Sequence, residues 1–100
     1  MAGRRFHQVN DFVDIAMANL NRGEIAVYMV LWRDERDGCV RVSQESIASR
    51  AGMQKRNCQK AIKSLSTKGF IKVVRQGGLN RGPSIYQIQK TSDWRLNSGG

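Results

Sequence analysis

Acidic residues are missing from nearly half of this chain. Residues 46–92 contain none, although ten Lys and Arg fall among those 47 positions. Proline occurs once, histidine once and cysteine twice. The longest apolar run is residues 25–32, eight positions. A membrane-spanning helix needs roughly 20, so no such helix and no membrane partner are expected. Cys39 and Cys58 form no short-spaced pair, and His7 is the only histidine. That set cannot complete a four-ligand zinc site, so no metal and no cofactor are expected. Two cysteines without a disulfide pattern fit a reducing compartment, the cytoplasm. Arg4 and Arg5 precede His7, Gln8, Asn10 and Asp11, where a secretory signal would need an apolar stretch. No carboxylate pair stands out for acid–base chemistry, because most acids lie in the first third, and an enzyme is not expected.

What remains is compact and lopsided in charge. The chain has 100 residues, 40% of them hydrophobic, enough for one domain with a core. The formal net charge is +9. Residues 1–37 hold five basic and six acidic side chains; residues 38–100 hold twelve basic and two acidic. A solvated surface normally mixes both signs. Exclusion of one sign over such a length implies a polyanionic partner: DNA, RNA or an anionic surface.

Hydrophobic spacing divides the chain into elements. Val9, Phe12, Val13, Ala16, Met17 and Leu20 predict a first helix within residues 6–20, capped by Asn10 or Asp11. Asn21 with Glu24 resembles a capping box for a second helix reaching about Glu35. Its stripe is Ile25, Tyr28, Met29 and Trp32, with Val27, Val30 and Leu31 in a second stripe beside it. A helix apolar over most of its girth must be covered on more than one side. The N-terminal helix or a second copy of the chain can cover the extra side.

A polar turn ending at Gly38 leads to a short alternating strand, residues 39–42. Ser43 caps a short helix buried through Ile47, Ala48 and Ala51, and Gly52 ends it. A further helix starts near Met53 or Gln54 and reaches Lys68, followed by Gly69. Cys58, Ala61, Ile62 and Leu65 form its apolar stripe, which favours a buried reduced Cys58 thiol. Arg56, Gln59, Lys60 and Lys63 form the opposite face at the same spacing. Residues 70–75 and 85–90 read as two strands of a hairpin. Its tip, Gly77-Gly78-x-x-x-Gly82, is not a phosphate loop, since no Gly-Lys-Ser/Thr follows. Trp94 is either a cap on the hairpin or a dimer contact. The division expected is a domain over residues 1–92 and a flexible tail over 93–100.

Ser43-x-x-x-Ile47-Ala48-x-x-x-Gly52, then Ala61-Ile62-x-x-Leu65-x-x-x-Gly69-Phe70-Ile71, resembles the winged helix-turn-helix DNA-binding family. The resemblance covers residues 20–89. The lead-in, Phe6-His7-Gln8-Val9-Asn10 and then Asn21-Arg22-Gly23-Glu24, is similar to N-terminal domains of plasmid and phage replication initiators and small regulators. The chain departs from the family in lacking Ser and Thr early in the recognition helix, where Met53 or Gln54 and Asn57 stand.

The resemblance implies an α+β fold: a three-helix core, an extra N-terminal helix and a C-terminal hairpin wing. It implies sequence-specific binding of double-stranded DNA by a regulator of transcription, or by a replication or partition factor. Gln54, Lys55, Asn57 and Gln59 would sit near the start of the recognition helix, where amides suit adenine edges and cations suit guanine. Arg56, Lys60 and Lys63 would reach bases or phosphates, and Ser43 a phosphate. Arg75, Asn80 and Arg81 would be wing contacts. A homodimer through the N-terminal helices is expected, and no small-molecule ligand. The alternatives are a protein-interaction module and a non-specific or RNA-binding one.

Overall fold

The computed structural model describes residues 10, 12–77, 82–90 and 93–95. Three α-helices and three strands carry the fold: α1 Arg22–Asp34, β1 Cys39–Val42, α2 Gln44–Ala51, α3 Lys55–Thr67, β2 Ile71–Arg75 and β3 Ser84–Ile88. No helix among the described residues is long and apolar enough to cross a membrane.

The expected N-terminal helix takes a different form in its described part. Phe12–Ala16 is a π-helical turn and Met17–Asn19 a 3₁₀ turn. Phe12, Ala16 and Leu20 are buried, while Val13 and Met17 are 53% and 42% exposed. The reason is spacing. A regular α-helix rotates each four-residue step by about 40°, so residues eight apart diverge. The underwound π turn reverses the sense of that drift over the step from Phe12 to Ala16. Leu20 is extended, which ends the turn and sets Asn21 in N-cap geometry. The Asn10 or Asp11 cap and Val9 fall outside what can be described, apart from Asn10 itself, which is helical.

α1 begins with the capping box. The Asn21 side chain accepts from the Glu24 amide, and the Glu24 carboxylate accepts from the Asn21 amide, both at 2.8 Å. Its buried face is Glu24, Val27, Tyr28 and Leu31. This corrects the order of the two stripes: Ile25 and Trp32 are half-buried and Met29 is 38% exposed. Tyr28 decides the rotation, because Phe12 stacks on it at 4.6 Å and 3°.

α2 is short and closed at both ends. The Ser43 hydroxyl accepts from the Ser46 amide, and Gly52 ends the helix at φ 72°, a left-handed conformation that glycine adopts without strain. α3 buries Cys58, Ala61, Ile62 and Leu65, the stripe read from the sequence. Its end is a Schellman motif: the Phe70 amide donates to Leu65 O and the Gly69 amide to Ser66 O.

The sheet is antiparallel in the order β1-β3-β2. Cys39 pairs with Gln87, Val40 with Tyr86 and Arg41 with Ile85. Across β3, Lys72 pairs with Gln87, Val73 with Tyr86 and Arg75 with Ile85, with a bulge at Val74. The inner face (Val40, Val42, Ile71, Tyr86) joins Phe12, Tyr28, Leu31, Ile47, Leu65 and Phe70 in one core. At the hairpin's throat the Gly77 amide donates to Ser84 Oγ at 2.8 Å. A Cβ on Gly77 would collide with the backbone of Gly82 and Ser84.

The boundary expected between residues 92 and 93 is crossed by packing. Trp94 lies 4.7 Å from the Phe70 ring and 6.4 Å from Phe12, and the Arg95 amide donates to Lys68 O at 2.5 Å. Trp94, half-buried, therefore closes the aromatic cluster of the core beside Phe70 at the base of the hairpin. Residues 96–100 lie outside the described part.

Candidate nucleic-acid interface

The helix-turn-helix is set by three short-range facts. Gly52 turns the chain, the Met53 amide donates to Ala48 O at 2.9 Å, and Gln54 is extended as the N-cap of α3. The Gln54 side chain makes no cap bond and is exposed. From there α3 presents Lys55, Arg56, Asn57, Gln59, Lys60 and Lys63, all exposed, opposite its buried stripe.

Those residues are not equivalent. Lys55 Nζ lies 2.7 Å from Glu45 Oε2, and that ion pair holds the Glu45 carboxyl below its ordinary range. Gln59 donates to the Gln44 side-chain oxygen at 3.0 Å. Both are therefore tied to α2, which the sequence reading did not foresee. The side chains of Arg56, Asn57, Lys60 and Lys63 make no hydrogen bond or ion pair among the described residues. Asn57 and Lys60 line a groove against Asn21, Gly23, Met53 and Ser64 at the start of α1. Ser43 is half-buried and its hydroxyl caps α2. Arg75 is exposed at the end of β2. Asn80 and Arg81 lie outside the described residues, so the wing tip is not placed.

Three ion pairs position α3, and each joins a different pair of helices. Glu45 and Lys55 join α2 to α3. Arg50 grips Asp34 through both guanidinium nitrogens, at 2.5 and 2.9 Å, joining α2 to α1. Arg50 is the main reason the Asp34 carboxyl is held below its ordinary range. Glu24 and Lys68 join α1 to the C-cap of α3 at 3.2 Å. Glu24 is only 2% exposed, and it also accepts from Ser64 Oγ and the Asn21 amide. Burial alone would raise its carboxyl. Hydrogen bonds from Ser64, the Asn21 amide and Lys68, with the Lys68 charge, more than offset that and leave it lowered.

Glu24, Ser64 and Lys68 are positioning residues; the sequence reading gave Glu24 as a capping residue alone and passed over its link to Ser64 and Lys68. The signal was there: Glu24 stands in the stripe 24-27-28-31, and a carboxylate inside an apolar stripe needs a partner. Cys58 is a buried free thiol, donating to Gln44 O at 3.8 Å, and burial pushes it up. Cys39 is free and exposed. No group of three His, Cys, Asp or Glu that could hold a metal occurs among the described residues.

No family model matches the chain. Nor does any curated protein. Solved structures do. A MarR family regulator from Neisseria meningitidis superposes with a TM-score of 0.55 at 20% identity, over 92% of this chain and 62% of that one. This chain thus spans about three-fifths of that regulator's length. The homodimeric winged helix-turn-helix DNA-binding domain from Mycobacterium bovis, a possible ArsR-family transcriptional regulator, gives 0.54 at 19% identity, over 92% and 79% of the two chains. At such identities the likeness speaks for architecture, and with the helix-turn-helix and hairpin above it establishes the fold of this chain as a winged helix-turn-helix.

Proposed function

We propose that this chain binds double-stranded DNA in a sequence-specific way, with α3 in the major groove and the hairpin as a wing. The reading is carried by one observation. Arg56, Lys60 and Lys63 share the exposed face of α3 and have no acidic partner among the described residues. Cations left unpaired on a helix that fits a groove about 12 Å wide are what a phosphate backbone would pair. Asn57 and Gln54 sit where amides can read base edges, whereas Lys55 must leave Glu45 before it can. The two structural neighbours are described as a regulator and as a DNA-binding domain, which supports a regulator of transcription. Replication or partition of a mobile element is the other role the sequence resemblance favours.

Duplex binding measured across a salt series tests the reading. Lys60→Ala and Lys63→Ala should each flatten the slope of log affinity against log salt by about 0.9, the value for one lost phosphate contact. Unchanged slopes in both variants would overturn it. So would equal competition by RNA or random duplex, which would favour a non-specific module.

We further propose a homodimer through the N-terminal segment and α1. Val13, Met17 and Met29 are large apolar side chains left exposed, and Ile25, Val30 and Trp32 are half-covered beside them. Met29→Lys should convert a dimer to a monomer in sedimentation, with the fold retained by circular dichroism. A wild-type monomer at high micromolar concentration would end the proposal.

A further inference from the structure

The sheet turns one face to the core and the other outward. Two rows of side chains cross the outer face. One is Arg41, Ile85 and Arg75; the other is Cys39, Gln87 and Lys72. All six are exposed except Ile85, which is half-buried. Three are cationic and none is acidic. Glu35, near the turn into β1, accepts from the Gly38 amide; Asp37 and Glu45 each lie four positions from Arg41, and Glu45 is paired with Lys55.

Exposed cations on a sheet face whose paired positions carry no acid favour an anionic partner. Strands lie about 4.8 Å apart, so Arg41 and Arg75, two strands apart in one row, stand about 10 Å from each other. Two grooves among the described residues lie elsewhere, between α1 and α3 and at the helix turn. Neither groove is lined by a residue of the sheet, so neither would enclose a small anion on this face. A polyphosphate backbone needs no enclosure, because it offers phosphates at every 3.4 Å of rise along each strand, as a general property of duplex DNA.

The direction of this face matters as much as its charge. Val40, Tyr86 and Ile71 point inward to the same core as Leu65 of α3. The outer rows therefore point away from that core. We propose that the outer face of the sheet is a second, sequence-independent phosphate-binding surface for another duplex segment, held by Arg41 and Lys72. It rests on the proposal that α3 binds the first duplex. A protein with both surfaces bridges two stretches of DNA.

The test uses an immobilised duplex and a second, fluorescent duplex that cannot hybridise to it. The wild-type chain should co-capture the two. The double variant Arg41→Thr, Lys72→Thr keeps β-forming residues on the strands. It should lower co-capture about ten-fold in moderate salt, as expected for two lost phosphate contacts, while affinity for a single duplex changes less than about two-fold. Cys39 supplies a second readout, since it lies in the same row as Lys72. Its alkylation by neutral N-ethylmaleimide should slow when duplex is in excess, with buried Cys58 as the internal reference. Undiminished co-capture by the double variant would overturn the proposal and assign bridging to the two α3 helices of a dimer. An equal loss of single-duplex affinity would also overturn it, because the face would then serve the first duplex. If Lys60→Ala, Lys63→Ala left single-duplex binding intact, the reading of α3 would fail instead.

Discussion

Gly69→Ala is expected to destabilise the fold by about 3 kcal/mol and to unseat residues 93–95. Gly69 stands just past the α3 cap at φ 82°, where an L-residue costs roughly 1–2 kcal/mol. A Cβ there would also overlap the Asp93 carbonyl oxygen and press on Asp93 C at 3.1 Å and Arg95 N at 3.2 Å. Backbone atoms cannot swing aside as a long side chain can, so the strand of contacts must lift. Trp94 then leaves Phe70, and uncovering a large apolar side chain costs roughly 1.5–3 kcal/mol. Denaturant unfolding gives the energy. Tryptophan emission in a Trp32→Phe background should shift to the red as Trp94 meets water. A loss below about 1 kcal/mol with unshifted emission would show that the segment adjusts instead.

Glu24→Ala should cost about 3 kcal/mol, in the range for breaking a buried, hydrogen-bonded ion pair from one side. It removes half of the α1 capping box and leaves Ser64 and Lys68 without their shared acceptor. Lys68 keeps a bond to Asn19 O at 3.2 Å and is a third exposed, so part of its charge is resolvated. The same site sets an acid limit. The Glu24 carboxyl is lowered in the fold from an ordinary value of 4.5. Its contribution is therefore full above that value and is lost as pH falls through the folded-state value. Glu24→Gln should flatten the acid limb of a stability–pH curve. A wild-type-like acid limb in that variant would assign the dependence to Asp34 and Glu45, also lowered.

Helix α3 was fully legible, and the reason is local. Cys58, Ala61, Ile62 and Leu65 stand against Arg56, Gln59, Lys60 and Lys63 with no residue out of place, so periodicity alone fixes the rotation. Helix α1 was legible in its start and length but not its rotation, because apolar residues surround it and only Phe12 selects Tyr28 as the inner side. The hairpin could be read from two β-rich runs. The addition of β1 at the far edge of β3 could not, since Val40 and Tyr86 are 46 positions apart in the chain and no local pattern joins them. Among the site residues, charge and spacing identified the exposed face. They could not show that Lys55 and Gln59 bind back to Glu45 and Gln44, which depends on how closely α2 approaches α3.

The three inter-helix ion pairs form a closed triangle, and a triangle of struts does not shear. Each helix is fixed at a point to both of the others: Glu24 to Lys68, Asp34 to Arg50, Glu45 to Lys55. On the proposed function, a DNA-reading helix mounted this way is preorganised. Little orientational entropy is left to lose on docking, so more of the contact energy survives as affinity. The struts are also ionic, and the Glu45–Lys55 strut is open to solvent. Added salt should therefore act on two levels at once, screening the groove contacts and loosening the frame that aims them. Rising ionic strength would then blur discrimination between sites as well as lower occupancy.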